Sequence, residues 1–275
     1  MSNHPVYDDK LETQKQWSQD PCGAVTAGEV APGTAEFYRR VEDERYETYA
    51  PWMRETMGFA RHPGKRVLEI GPGLGTDHAQ FARAGAEMYA VDLTTAHLKH
   101  TRRRFDLEGL LTRPVRGDAE ALPLAGASFD VVYSFGVLHH TPDTAGAIRE
   151  VHRVLRSGGL AIIGLYHKHS AFYWIHTLLL RGVALGGLWR KGYRRLMADI
   201  EYRSPGSDAV PLVKVFSRGE CRRLFAPFSS VRVRTDHIDF SHVLPLVPHT
   251  AGALRRSVER LASRWGWYVT VFARK

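Results

Sequence analysis

The stretch from Lys65 to Tyr166 most restricts what this chain can become. Short apolar runs alternate there with helix-patterned segments, the signature of βαβ units around a parallel sheet. Arg66–Ile70, Glu87–Val91, Thr112–Arg116, Phe129–Ser134 and Leu160–Tyr166 read as strands. Thr76–Ala84, Thr95–Leu107 and Thr144–Leu155 read as helices, the last closed by Gly158-Gly159. The connections are short, as a compact α/β core requires.

The flanks have a different texture. Residues 1–33 are polar and broken by Pro21, Gly23, Gly28, Pro32 and Gly33, which reads as a mobile arm. From Thr34, a plausible N-cap, Phe37, Val41, Tyr49, Trp52 and Met53 recur at helical spacing until His62-Pro63-Gly64 turns the chain. Residues 167–226 form a long insert with helical, aromatic and arginine-rich pieces. Val231–Ile238 and Tyr268–Arg274 read as two closing strands. Between them Leu254, Val258, Leu261 and Trp265 share one face of an amphipathic helix. The expected organisation is one compact domain in four parts: an N-terminal arm and helical cap (1–64), the core (65–166), a helical lid or acceptor insert (167–230), and closing strands (231–275).

With 44% apolar and 24% charged residues in 275, the chain is not disordered. Cys22 and Cys221 have no CxxC spacing, which excludes a disulfide scaffold and suits a cytoplasmic location. The polar run from Met1 to Asp20 does not read as a signal peptide, and His176 and Arg181 interrupt the most apolar stretch, so no membrane span is expected. Charge is unevenly placed: residues 1–150 sum to −5 and residues 151–275 to +14. That polarity fits an anionic acceptor, a membrane surface, nucleic acid or a solvated arginine-rich face.

The most informative segment is Glu69-Ile-Gly71-Pro-Gly73-Leu-Gly75-Thr-Asp77, directly between a strand and a helix. Alternate glycines allow a tight turn and close approach to a ligand. The spacing is GxGxG rather than the dinucleotide GxGxxG, and Glu69 and Asp77 would repel a pyrophosphate. A cationic ligand is the better match. Asp92 ends the second strand, where a carboxylate can accept both hydroxyls of a ribose. Asp118, after the third strand, can accept the amino group of an adenine. Carboxylates at successive strand ends converge on the sheet's switch point.

The runs VLEIGPGLGTD, AVDLT, RGDAEALPL, SFDVVYSFGVLHH and REVHRVLRSGGLAII together resemble the class I S-adenosylmethionine-dependent methyltransferases, in particular the small-molecule group of the ubiquinone and menaquinone enzymes. The resemblance covers Val67 to Tyr166. It implies an α/β, Rossmann-like seven-stranded sheet with the last strand antiparallel, and S-adenosyl-L-methionine as cofactor. By the resemblance, Glu69, Gly71, Gly73 and Gly75 cradle the methionine part and Asp92 holds the ribose. Leu93 lies on the adenine, Asp118 and Ala119 read its edge, and Ser134 and Phe135 lie beside the sulfonium.

Methyl transfer from a sulfonium needs an in-line nucleophile in a dry site, and a phenol or ammonium acceptor must also lose a proton. His140, Tyr166, His167 and His169 are the candidate catalytic residues, with His139 beside them. His167-Lys-His169 has no third ligand at helpful spacing, so no metal site is expected. Phe37, Tyr38, Tyr46, Tyr49 and Trp52 before the sheet, and Phe172, Tyr173, Trp174, Trp189 and Tyr193 after it, suggest an aromatic lid. Arg181, Arg190, Arg194, Arg195, Arg203 and Arg218 could grip an anionic acceptor.

The expected function is methylation of an O or N atom of a small, hydrophobic or aromatic metabolite. The alternative is C-methylation of a prenyl- or quinone-like carbon at a membrane. An RNA methyltransferase and a non-catalytic cofactor-binding protein are further readings. Ser134-Phe-Gly-Val replaces the Asn/Asp-Pro-Pro-aromatic run of base-amino methylation, so no nucleic-acid partner is expected. Peripheral membrane contact, and a monomer or a homodimer, are compatible with the sequence.

Overall fold

The computed structural model describes residues 8–238, 261 and 263–275. Seven strands form one sheet: β1 (Arg66–Ile70), β2 (Glu87–Asp92), β3 (Thr112–Arg116), β4 (Phe129–Phe135), β5 (Leu155–Tyr166), β6 (Ser230–Asp236) and β7 (Tyr268–Arg274). Their order is β3-β2-β1-β4-β5-β7-β6. The first five are parallel, while β7 runs antiparallel to both β5 and β6. This is the Rossmann-like sheet with its reversed last strand.

Both faces are covered at the centre of the sheet, which explains the buried apolar runs of β1, β4 and β5. Leu68, Ile70, Val132 and Ile163 pack on α6 (Thr144–Val154) and α8 (Arg218–Leu224). Val67, Val131, Tyr133 and Ile162 pack on the opposite side against Met53 and Met57 of α3 (Met53–Met57), Phe81 of α4 (Thr76–Arg83) and Phe105 of α5 (Thr95–Glu108). The strand order reverses between β1 and β4, opening a crevice at their carboxyl ends.

The N-terminal segment departs from the expected arm. Residues Asp9–Gln19 form α1, capped by the Asp8 carboxylate, which accepts from the backbone N–H of Lys10 and Leu11. α1 wedges between core and insert: Gln16 donates to the Tyr202 carbonyl (2.6 Å), Glu12 accepts from the Val210 N–H (2.6 Å), and Asp9 pairs with Arg194 (2.6 Å). Its buried side chains, Thr13 and Gln16, are polar, so no apolar stripe announces it in the sequence. Docking rests on hydrogen bonds worth about 0.5–1.5 kcal/mol each.

Thr34 caps α2 (Ala35–Asp43), accepting from the Phe37 N–H as its position suggested. The chain then winds more widely, as a π-helix over Glu44–Tyr49. Gly158-Gly159 does not close α6. That helix ends at Val154 with Leu155 already extended, and the glycines form the irregular start of β5, where its pairing with β4 shifts register. The insert leaves as a π-helix (Phe172–Ala184) and continues as α7 (Gly187–Ala198). It returns at Phe216, whose N–H donates to the Tyr166 carbonyl (2.8 Å). Of the amphipathic helix read between Leu254 and Trp265, all but residues 261 and 263–265 lies outside the described residues.

Candidate active site

A cavity of about 460 Å³ opens at the carboxyl ends of β1, β2 and β4 and extends beneath α1 and the insert. Of the sequence-derived residues, it brings together Glu69, Gly71, Gly73, Asp92, Leu93, Asp118, Ala119, Phe135, His140 and Tyr166. Gly75, Ser134, His167 and His169 are not on its wall.

The glycines of the β1–α4 loop have different jobs. Gly71 (φ +75°) must be glycine because a Cβ would stand 2.4 Å from Val137, whereas a Cβ on Gly73 would meet nothing within 4 Å. Gly73 thus leaves the loop open to the cavity. Gly75 takes the left-handed conformation at the start of α4, shaping the turn from behind.

Asp77 corrects the electrostatic reading. Its carboxylate does not face a ligand as a bare charge: Arg45 donates through Nε (2.7 Å) and Nη2 (2.6 Å), and the hydroxyls of Tyr46 (2.6 Å) and Tyr133 (2.7 Å) donate as well. Arg45 and these donors hold Asp77 below the usual carboxylate range despite its burial. The uncompensated acid of the loop is Glu69. Burial and the neighbouring Asp77 push its carboxyl well above the ordinary range, and its Oε2 is 2.9 Å from His78 Nδ1.

Asp92 lies at the end of β2, its Oδ1 accepting from the N–H and hydroxyl of Thr94 (2.7 and 2.9 Å). Its Oδ2 accepts from His97 Nδ1 (3.0 Å), and His97 Nε2 is buried on the cavity wall without a partner. Asp118 is not a free acceptor either. Its Oδ1 accepts from the Glu120 N–H (2.9 Å), and Lys10 of α1 bridges Asp118 and Glu120 (2.5 and 2.6 Å). Ser134 is buried and donates to the Ile70 carbonyl (2.9 Å), bracing β1 against β4.

The far end of the cavity is lined by Cys22, Arg45, Tyr49, Phe135, His140, Tyr166, Phe172, Glu201, Trp267 and Tyr268. Tyr49 and Phe172 are the aromatics of the expected lid found on this wall. Phe37, Tyr38 and Tyr46 are core residues instead, and Trp174, Trp189 and Tyr193 face outward. None of the six insert arginines lines it: Arg181 and Arg203 pair with Asp199, and Arg194 with Asp9. The cavity's guanidinium is Arg45.

The carboxylate at this end is Glu201, in the turn after α7. It accepts from the Tyr166 hydroxyl (2.8 Å), and its Oε1 lies 3.7 Å from His140 Nε2. His140 Nδ1 donates to the Leu212 carbonyl (2.6 Å), fixing the tautomer with a lone pair on Nε2. Burial lowers the pKa of His140 and of His139, keeping both neutral. Ligand atoms of His139, His140 and Glu201 lie within 4.8 Å of one another, a grouping the expectation of no metal site did not include. Cys22, an exposed residue, borders the same chamber.

His167 and His169 are displaced from the chamber. The His167 backbone donates to the Trp267 carbonyl (2.7 Å) and its Nδ1 to that of Gly266 (3.0 Å), turning the ring toward the β7 side. His169 is exposed.

Residues 68–163 match the family model described as a methyltransferase domain. The match falls on the five parallel strands and the crevice they open. The domain is 38% identical over 115 residues to the demethylmenaquinone methyltransferase of Beutenbergia cavernae, covering 41% of this chain and 45% of that protein. It is 34% identical over 110 residues to the ubiquinone biosynthesis O-methyltransferase of Ruegeria pomeroyi, covering 40% and 44%. The chain therefore spans less than half the length of these curated relatives. In fold it is similar to the magnesium protoporphyrin IX methyltransferase of Synechocystis, with a TM-score of 0.53 at 15% identity over 91% of each chain. Among the described residues no helix is long and apolar enough to cross a membrane.

Four buried histidines give the protein a defined acid response. His78, His139, His140 and His167 all have pKa values lowered by burial, His78 to about 3. The unfolded chain takes up their protons near pH 6.5. Their stabilisation is complete above that pH and is lost as pH falls toward the folded-state values. Glu69, with a raised pKa, contributes with the opposite sign and offsets one of them. Urea titrations should show stability falling between pH 7 and 5, approaching about 1.4 kcal/mol per pH unit for each uncompensated histidine. A flat profile over that range would place the histidines in contact with solvent.

Proposed function

We propose that this chain transfers a methyl group from S-adenosylmethionine to a hydroxyl oxygen of a small lipophilic acceptor of the phenol or quinol type. The observation that carries this reading is the Glu201 carboxylate, set in an aromatic chamber beside the neutral His140 and hydrogen-bonded by Tyr166. The names of the relatives, a menaquinone and a ubiquinone enzyme, support the acceptor class.

The residues present fit the cofactor. Gly73 leaves open space beside the loop, and the orphaned His97 Nε2 next to the Asp92 carboxylate offers two polar groups to paired hydroxyls. The cavity volume falls in the range of about 300–1,000 Å³ usual for small-molecule sites. On this reading Glu69, Gly71 and Gly73 hold the methionine part. Arg45, whose Nε and Nη2 bond Asp77, keeps Nη1 for the carboxylate of that part. Asp92 and His97 hold the ribose, Leu93 lies on the adenine, and Ala119 with the Lys10-bridged Asp118 borders its edge. When bound, the cofactor supplies a methyl group on a sulfonium that leaves as a neutral thioether.

The chain's own residues then have three tasks. Tyr49, Phe135, Phe172, Trp267 and Tyr268 exclude water and orient an aromatic ring. Glu201 takes the hydroxyl proton, with Tyr166 holding the carboxylate in position. His140, kept neutral by its burial, presents Nε2 to the same space as a second proton acceptor. Ring methylation at carbon is the second reading, favoured by the demethylmenaquinone relative. It begins with the same proton removal, so the chamber serves either.

Product analysis tests the proposal. The purified protein is given deuteromethyl-labelled S-adenosylmethionine with a panel of catechols, hydroquinones and naphthoquinols carrying short and long prenyl chains. The expected result is S-adenosylhomocysteine together with a labelled methyl on oxygen. A label on carbon would replace the first reading by the second, and no turnover with any panel member would overturn both.

A further inference from the structure

The insert carries a surface that neither the methyltransferase domain nor its cavity uses. Its π-helix and α7 pack as a hairpin: a Cβ on Gly182 would meet Leu188 and Leu196 at 3.2 Å, and the Tyr173 and Tyr193 hydroxyls are 3.0 Å apart. Outside this seam large apolar side chains face solvent, among them Trp174, Leu179, Val183, Leu185 and Trp189, with Leu179 60% and Trp189 74% exposed. Isolated exposed apolar residues are ordinary, but this many on one hairpin mark an interaction surface.

The charge beside that surface narrows the partner. No acidic residue occurs between Glu150 and Asp199, whereas Arg181, Arg190, Lys191, Arg194 and Arg195 all lie on the hairpin. Arg190, Lys191 and Arg195 are exposed. Tryptophan and tyrosine amid aliphatic side chains, rimmed by cations, is the composition of an element lying in the interface of an anionic lipid bilayer. The hairpin also leads inward, because Phe172, at the start of the π-helix, lines the cavity and packs on Trp267 at 4.7 Å between centroids.

We infer that the 172–195 hairpin docks on an anionic bilayer and presents the cavity mouth to a membrane-dissolved acceptor. The inference deepens the proposed function by naming where the acceptor is collected. Docking itself is read without cofactor or acceptor, so its failure leaves methyl transfer standing, and the reverse also holds.

The test is co-sedimentation of the full chain with vesicles of phosphatidylcholine alone or mixed with phosphatidylglycerol. Tryptophan emission is recorded in parallel, and oligomeric state is measured by analytical ultracentrifugation. The expected result is binding to the anionic vesicles, with a blue shift of emission and weakening by salt. Leu179→Glu and Trp189→Glu should abolish it without lowering the melting temperature. Removing Arg190 or Arg195 should weaken it about fivefold per cation. Equal binding to neutral vesicles, or binding unchanged in Leu179→Glu, would overturn the inference. So would a dimer that Leu179→Glu dissociates in a protein that ignores vesicles, since a second copy would then be the occupant.

Discussion

Asp77→Ala is expected to destabilise the protein by about 3–5 kcal/mol, the usual cost of leaving one half of a buried ion pair behind. The side chain is only 5% exposed and Arg45 only 23%, so water cannot readily replace the lost carboxylate. Two tyrosine hydroxyls, those of Tyr46 and Tyr133, lose their acceptor in the same step. Both belong to the packed face around Phe81, so the defect lies inside the core. Urea denaturation at pH 7 measures the effect, and a double-mutant cycle with Arg45→Met isolates the pair. The double variant should be more stable than the sum of the single losses implies, because no charge is left unpaired. A loss below about 1 kcal/mol in Asp77→Ala would show that the cluster is solvated and that Arg45 has another partner.

Glu201→Gln should lower kcat by about 10²–10⁴, the usual contribution of a positioned base, with little change in cofactor affinity. Glutamine keeps the shape and still accepts from Tyr166, so the melting temperature serves as the control for folding. Tyr166→Phe, which removes the hydroxyl that orients the carboxylate, should give a smaller loss. Steady-state kinetics with the acceptor found in the product screen provide the measurement. If Glu201→Gln stays within about threefold of the parent, the proton leaves by another route, and His140 becomes the base to test.

Where periodicity and glycine placement dictate structure, the sequence was a good guide. β1, β3 and β7 have the expected bounds, and β2 and β4 differ by one residue; in β1 and β4 the apolar run itself marks the buried parallel strand. The carboxylates at the strand ends reach one cavity for the same reason: the end of a strand in a known sheet order is a position in space. The misses share a different cause. α1 docks through polar groups and leaves no hydrophobic pattern. Arg45 sits at a helical-face position between Val41 and Tyr49, where a charge looks like an interruption; its partner lies on another element. Glu201 had one readable signal, since Asp199 and Glu201 are the first acids after Glu150 in a basic run. His167 and His169 were drawn to the site by proximity to β5, but the return of the chain at Phe216 pins that backbone between neighbours.

The chamber around Glu201 is assembled from segments far apart in the chain. Cys22, Arg45 and Tyr49 precede the matched domain, and Glu201, Trp267 and Tyr268 follow it. On the proposed reading most of the acceptor's surroundings thus come from outside the matched stretch, with Phe135 and His140 contributed from within it. Substitutions in those flanking segments can retailor the chamber for a new recipient while the strand-end loops stay as they are.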